Sequence, residues 1–231
     1  MSYLTNMNLI EHIIEPSTLL LAWQSPEERI RYIVGEIKRE GDETSLTYLH
    51  HTKDFQAAII KGFTPYPAFL ELHKIHHNVI DAFMRRLPPR TRGDFSQYLE
   101  GLRLKPDAKL SDFALLGYSG AKLLSDSFSL IHPFDHVTDR CELLLEAAGY
   151  RYRKAQVQID QPAVFVKDLF KEEEAIGIDV NGNRIGYVNR GLLPTFIDWL
   201  KSNRIESATV EKISGTAENP YVYLFVKILP G

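Results

Sequence analysis

The sequence predicts an α+β protein of two domains, a small mixed α/β domain over residues 1–135 and a small β-barrel with one helix over 136–231. Three observations lead to this prediction. Short apolar runs recur along the chain, helical periodicity is concentrated before residue 131, and strand patterns surround a single helical segment after residue 135. The length of 231 residues and the hydrophobic content of 44% are sufficient for cores of this size.

The first domain begins with strands joined by turns. Residues 19–23 are an apolar run typical of a buried strand, and residues 29–49 alternate around the turn signal Gly41-Asp42 as a hairpin. Helical periodicity predicts four helices, over residues 55–61, 76–87, 94–102 and 110–116. Ser111 or Asp112 caps the last of them, and residues 128–131 form a final strand.

The second domain is rich in short strands. They are predicted over residues 141–145, 156–159, 163–166, 175–180, 185–188, 207–213 and 221–228. Asn181-Gly182 joins two of them as a hairpin, because both central positions of the favoured tight turn require a positive φ. An amphipathic helix over 192–202 follows this hairpin.

Composition restricts the possible environments and partners. The net charge of −3 provides no overall basic field that would attract nucleic acid or anionic membrane. The single cysteine, Cys141, excludes an internal disulfide framework and suits a reducing compartment. The N-terminal residues lack the regions of a signal peptide, and the longest apolar run is too short to cross a bilayer. We therefore expect a soluble, cytoplasmic protein without a membrane partner.

Catalytic and metal-binding motifs are not recognisable. Five histidines lie close together in the sequence, at positions 50, 51, 73, 76 and 77, but no glutamate stands where a metalloprotease needs its base. Ser119 precedes a glycine without the surrounding nucleophile elbow, and the phosphate-binding and kinase motifs are missing. We expect no catalytic residues, metal or cofactor, and an enzyme that uses Ser119 or the histidines is the least favoured hypothesis.

Two basic clusters are candidate binding sites. Arg85, Arg86, Arg90 and Arg92 place four arginines within eight residues, which suits a phosphate or a partner protein and equally suits a solvated helix end. The segment 150–154 alternates aromatic and cationic residues. As a strand it would place two tyrosines on one face and two arginines on the other, typical of single-strand recognition or of an ordinary barrel strand.

The C-terminal part resembles a HIRAN domain, a small β-barrel module, over residues 138–229. The resemblance rests on Gly149-Tyr-Arg-Tyr-Arg, Glu174-Ala-Ile, Asn181-Gly-Asn-Arg-Ile-Gly-Tyr-Val and the helix that follows. Helicase-like members of that family bind the 3′ end of single-stranded DNA. The resemblance implies DNA contacts from residues that match the family's positions. These are Arg151, Tyr152 and Arg190, with Arg153 and Lys171 beside them. Lys171 and Glu172 replace the family's Tyr-Asp pair.

The N-terminal part is similar to the N-terminal subdomain of HipA-type toxin kinases, over about residues 30–131. The matching stretches include Val34-Gly-Glu-Ile, residues 62–69, Phe83-Met-Arg-Arg-Leu-Pro and Ser111-Asp-Phe-Ala-Leu-Leu. A free-standing copy of this subdomain acts as an antitoxin or kinase partner in split systems of the family. The resemblance therefore implies a non-enzymatic protein whose partner is a HipA-type kinase or another protein.

Together these features predict a bacterial binding protein of the toxin–antitoxin or defence type. Its C-terminal domain would bind single-stranded DNA ends and its N-terminal domain a partner protein. Residues 136–231 contain 12 Lys and Arg against 13 Asp and Glu, so only a local cationic site is expected there. The alternative is a pure protein-interaction module whose barrel has lost DNA binding.

Overall fold

The structure is a computed structural model that describes residues 7–123, 125–153 and 155–231. The chain divides into two compact units. The N-terminal unit consists of Ile14–Phe95 and Lys109–Phe134. The C-terminal unit consists of Asp135–Gly231 together with Ser96–Ala108 and the described part of Met1–Ile13. The predicted division into domains 1–135 and 136–231 stays a prediction.

The secondary structure follows the mixed α+β class that the sequence predicts. The strands are β1 Thr18–Gln24, β2 Arg31–Glu40, β3 Glu43–Tyr48, β4 His76–His77, β5 Phe128–Ile131, β6 Cys141–Glu146, β7 Ala163–Phe170, β8 Glu173–Val180, β9 Asn183–Tyr187, β10 Ile205–Gly215 and β11 Pro220–Ile228. The helices are α1 Lys53–Ile60, α2 Ile80–Met84, α3 Phe95–Gly101, α4 Asp112–Ser119 and α5 Leu193–Lys201. No helix in these described ranges is long and apolar enough to cross a membrane.

The N-terminal unit contains a five-stranded antiparallel sheet in the order β4-β3-β2-β1-β5. The predicted hairpin of residues 29–49 is confirmed as β2 and β3, and Gly41 supplies the positive φ of its turn. Aromatic side chains from three helices, Phe55, Phe83 and Phe113, are buried in the same core as the sheet. The unit therefore has its own hydrophobic core.

The predicted helix over residues 76–87 is wrong at its N-terminal end. His76 and His77 pair with β3 at the sheet edge, and α2 begins only at Ile80. Asn78 separates the two elements because its backbone has a φ of 55° and its amide donates to the carbonyl oxygen of Thr44 at 2.7 Å. The predicted cap of α4 is confirmed, since the Ser111 hydroxyl accepts from the amide of Ala114.

The C-terminal unit contains two three-stranded antiparallel sheets, ordered β10-β11-β6 and β7-β8-β9. Single bridges between Ala148 and Tyr187 and between Pro162 and Thr209 connect them, so the described strands form two separate sheets and not a closed barrel. Helix α5 buries Phe196 and Trp199 in the core of this unit. These side chains anchor the helix that the sequence predicts after the hairpin.

The predicted strand over residues 156–159 is wrong. The backbone there is irregular and ends in a turn, in which the amide of Gln158 donates to the side-chain oxygen of Gln161 at 2.9 Å. Asp160 has a φ of 66°, which interrupts any extended run into β7. The alternation of residues 156–159 therefore reflects a loop and not a strand.

Candidate nucleic-acid interface

The predicted Asn181-Gly182 hairpin is confirmed, and it builds one side of the candidate site. Both turn residues have positive φ, 51° and 74°, and the turn joins β8 to β9. The pairing shifts after Ile178, which leaves Ile185 as an extra residue in β9. This bulge places Arg184 and Tyr187 on the same face of the sheet, although residues three apart in a regular strand point to opposite faces.

Gly186 allows the next chain segment to approach β9 closely. A side chain here would place its Cβ 2.8 Å from the carbonyl oxygen of Ala148 and 3.1 Å from the carbonyl carbon of Ala147. Because Gly186 has no side chain, Ala148 and Tyr187 can exchange two backbone hydrogen bonds of 2.9 Å. Gly149 then turns the chain with a φ of 80°. The basic segment that follows is thereby held beside Tyr187.

Tyr150–Tyr152 forms one 3₁₀ turn, and not a strand that would place its tyrosines and arginines on opposite faces. The turn brings neighbouring side chains together that a strand would have separated. The Arg151 guanidinium lies 4.6 Å from the centre of the Tyr152 ring and donates a hydrogen bond to its hydroxyl. The Tyr152 side chain is 64% exposed. A flat aromatic group with a cation on its face is therefore presented to solvent.

Two of the predicted cations have neutral partners. Arg151 donates to the side-chain oxygen of Asn219 at 3.1 Å, and Arg153 donates to the hydroxyl of Tyr187 at 3.2 Å. The Arg153 guanidinium also lies 5.3 Å from the centre of the Tyr187 ring. Within residues 7–123, 125–153 and 155–231, neither arginine forms an ion pair with a carboxylate. Among these residues both guanidiniums are therefore without a direct carboxylate contact, and the Tyr187 hydroxyl that Arg153 contacts donates to Asp168 at 3.3 Å.

Arg184, in contrast, is paired with two carboxylates, and the three groups together carry a net charge of −1. It forms ion pairs with Asp168 of β7 and Asp179 of β8. The hydrogen bond that Arg184 donates to Asp179 is the largest factor that raises the pKa of Arg184, although partial burial opposes it. The hydrogen bond from Arg184 is likewise the main factor that lowers the pKa of Asp168. This arginine is a fixed part of the sheet surface and not a mobile cation.

The structure places Arg190 and Lys171 at the border of this region. Arg190 forms an ion pair with Glu173, so a phosphate would have to displace that carboxylate. Lys171 and Glu172 form the two-residue turn between β7 and β8, with φ of 51° and 66°. Both positions are left-handed, which is costly for side chains other than glycine, asparagine or aspartate.

Three further residues of the region were not identified from the sequence: Phe170, Tyr187 and Asn219. The Phe170 ring lies 5.2 Å from the Tyr187 ring. Phe170 comes one position before Lys171, and position 171 is where the HIRAN resemblance implies an aromatic residue. The resemblance thus indicates an aromatic residue here, but at the position after Phe170. Asn219 comes from the loop between β10 and β11, and no local pattern in the sequence indicates its contact with Arg151.

Arg86 of the N-terminal basic cluster is a buried structural residue, contrary to its prediction as a partner or phosphate contact. Its five N–H donors have five acceptors: two oxygens of Asp126, the hydroxyl of Tyr66, and the carbonyl oxygens of Ala121 and Phe128. Burial opposes ionisation of Asp126, but the hydrogen bonds from Arg86 and from the Phe128 amide together lower the pKa of that carboxyl. No donor of Arg86 is left for a partner.

The other three arginines of this cluster lie at the surface. Arg90 donates to Asp112 at 2.9 Å, and Arg92 donates to Asp94 at 2.8 Å. Arg85 is exposed and has no ion-pair partner among the residues that the structure describes. The structure therefore separates the four predicted arginines instead of bringing them together at one site.

The residues of the enzyme hypothesis have structural contacts. The Ser119 hydroxyl donates to the carbonyl oxygen of Leu116 at 3.2 Å and accepts from the amide of Ala121 at 3.2 Å, which completes the end of α4. The His50 ring lies 3.8 Å from that of His51 and 5.0 Å from that of His73. Among the described residues, no group of three or more histidine, cysteine or acidic side chains is arranged to hold a metal ion.

Comparisons with protein-family models, with curated proteins and with solved structures find no match to this chain. The resemblances to HIRAN domains and to HipA-type kinases therefore stay predictions. The functional argument rests on the geometry around Arg151, Tyr152, Arg153 and Tyr187.

Proposed function

We propose that the C-terminal unit binds single-stranded nucleic acid, with DNA ends as the first candidate ligand. The observation that supports this proposal is the pair of guanidiniums, Arg151 and Arg153, that each lie on a tyrosine ring and have no carboxylate partner in the part of the chain that the structure describes. Cationic groups that follow a backbone, combined with aromatic faces for bases, are typical of single-strand binding. In this proposal the two sheets of the unit form an open, HIRAN-like arrangement that carries the site.

The roles follow from the chemistry of each side chain. Arg151 and Arg153 would bind neighbouring phosphates, because a guanidinium offers several donors in a fixed plane. Tyr152 would stack on a base, since its ring is mostly exposed. Arg190 and Lys171 would contribute at the border, Arg190 only after it leaves Glu173. The near-neutral charge of this part of the chain agrees with a local site and not with general duplex binding.

The test is fluorescence anisotropy with labelled single-stranded, duplex and 3′-blocked DNA at low salt. We expect Arg151→Ala to weaken single-strand binding by about tenfold or more, the usual loss for a charged hydrogen bond. Arg140→Ala is the matched control, because Arg140 is an exposed arginine of the same unit that is paired with Glu206. Equal effects of Arg151→Ala and Arg140→Ala, or no binding to any of these DNA molecules, would contradict the proposal.

A second candidate function is a protein-interaction module, with the N-terminal unit as an antitoxin-like partner of a HipA-type kinase. Large apolar side chains on the surface of that unit favour it: Ile60 is 81% exposed, Leu70 67% and Ile75 52%. Co-purification with a purified HipA-type kinase tests it. Loss of the complex in Ile60→Ser and Leu70→Ser, with DNA affinity absent, would select this function over the first.

A further inference from the structure

The outer face of the β7-β8-β9 sheet carries a flat row of residues across its three strands. Val166 of β7 is paired with Gly177 of β8, and Gly177 is paired with Tyr187 of β9. Directly paired residues share a face of the sheet, so Val166 and Tyr187 flank Gly177 on the same side. Val166 is 40% exposed, and Val164 on the same face is 58% exposed. This face is therefore partly open to solvent.

The guanidinium of Arg184 fills the space above Gly177. A Cβ at position 177 would lie only 2.0 Å from Cζ of Arg184, so the planar group lies directly on the glycine backbone. Ion pairs with Asp168 and Asp179 hold it from two sides. Its Cζ atom lies 5.2 Å from the centre of the Tyr187 ring. The result is a continuous surface of valine, guanidinium plane and tyrosine ring.

Charge indicates which ligand this surface suits. Arg184 and its two carboxylates together carry a net charge of −1, so the flat surface itself does not attract an anion. Arg153 lies at its Tyr187 end and has no carboxylate partner among the described residues. A ligand that fits both features has a planar uncharged ring next to an anionic group. A nucleotide within a single strand has this combination, since arginine planes and aromatic rings both stack on bases.

We propose that this row is a second nucleotide subsite, in which a base stacks on the Arg184 guanidinium between Val166 and Tyr187 while Arg153 binds the adjoining phosphate. The inference rests on the proposed single-strand binding and extends it from the Arg151–Tyr152 pair to the face of the sheet. Gly177 is the residue that determines the subsite, because any larger residue displaces the guanidinium plane.

The test compares Gly177→Ala with wild type on a thymidylate hexanucleotide and on an abasic hexamer of the same charge. The added Cβ meets the guanidinium of Arg184 and no backbone atom, so it displaces that group from its ion pairs while the backbone should keep its fold, and thermal unfolding checks this. We expect the thymidylate affinity to fall about 5- to 150-fold, the range for loss of one stacked base. The affinity for the abasic hexamer should remain unchanged, because Arg153 still binds phosphate.

A second variant, Val166→Ser, removes one flank of the subsite and should weaken only the thymidylate hexamer. Ile213→Ser, another exposed aliphatic residue in the other sheet, is its control. If Tyr152→Ala weakens thymidylate binding while Gly177→Ala and Val166→Ser do not, the subsite is refuted and the proposed function stands. If wild type binds no oligonucleotide, both are refuted. In another outcome, wild type binds N-acetyltryptophanamide, and Gly177→Ala abolishes this binding but does not change the affinity for thymidylate. This result would assign the row to a peptide ligand and refute the subsite.

Discussion

The buried imidazole of His132 makes the stability of the N-terminal unit dependent on pH in a calculable way. The residue is only 4% exposed, and its ring stacks on that of Phe134 at 3.8 Å. The amide of Phe134 donates to Nδ1 at 3.0 Å, so Nε2 carries the proton and donates to the carbonyl oxygen of Ile14 at 3.1 Å. A second proton would bind Nδ1 and would break the hydrogen bond that the Phe134 amide donates to this atom. Burial lowers the pKa of His132 from 6.5 to about 4.

The sign of the effect follows from the uptake of protons by the unfolded chain. The unfolded imidazole becomes charged as the pH falls below about 6.5, whereas the folded one stays neutral down to about pH 4. His132 therefore makes its full contribution to the free energy of unfolding above pH 6.5. This contribution is lost between pH 6.5 and 4 and does not change further at lower pH. A pKa difference of this size corresponds to a total loss of about 3 kcal/mol, of which about 2 kcal/mol is lost by pH 5.

Urea denaturation between pH 7.5 and 4.5 measures this loss. His132→Asn is the informative variant, because its side-chain oxygen can accept from Phe134 without titrating. Its unfolding free energy should fall by about 2 kcal/mol less than that of wild type between pH 7.5 and 5. His136→Asn, at an exposed histidine, should behave like wild type. The reasoning is refuted if His132→Asn and wild type show the same pH dependence, or if NMR titration gives His132 an ordinary pKa.

Three further predictions concern structural residues. Arg86→Ala should destabilise the protein by about 3 kcal/mol, as expected for a broken buried ion pair, and Arg85→Ala by less than about 0.5 kcal/mol; equal effects in urea denaturation would refute the structural role. Replacing Lys171 by Asn and Glu172 by Gly should stabilise the protein by about 1 kcal/mol because both residues have left-handed backbones, and an unchanged or lower melting temperature would contradict this. Gly186→Ala should cost about 1–3 kcal/mol, because its Cβ meets a backbone carbonyl that cannot move aside; full stability in the same assay would show that the close approach is not required.

Local patterns in the sequence were sufficient for the elements whose geometry depends on neighbouring residues. The Asn181-Gly182 turn and the Ser111 cap both follow from side-chain and backbone preferences within a few positions. The apolar alternation of most strands is equally local. These features were predictable because the physical cause lies within the pattern itself.

Contacts between distant segments were not predictable in this way. Arg86 was interpreted as a surface cation, because its acceptors come from segments 20 to 42 residues away. The segment 150–154 alternates like a strand, but Tyr150–Tyr152 forms a 3₁₀ turn, since Gly149 and the bridge from Ala148 to Tyr187 fix its start. Of the candidate site, the sequence indicated Arg151, Tyr152 and Arg153 but not their tyrosine and asparagine partners.

The dependence of single-strand affinity on salt is the most direct test of the central claim that Arg151 and Arg153 bind phosphate. Neutralisation of two phosphates predicts a slope of about −1.4 for the logarithm of the association constant against the logarithm of the salt concentration. Arg151→Ala and Arg153→Ala should each reduce the magnitude of this slope by about 0.7, and Arg140→Ala should leave it unchanged. A slope near zero for wild type, or one that neither arginine variant alters, would contradict the account.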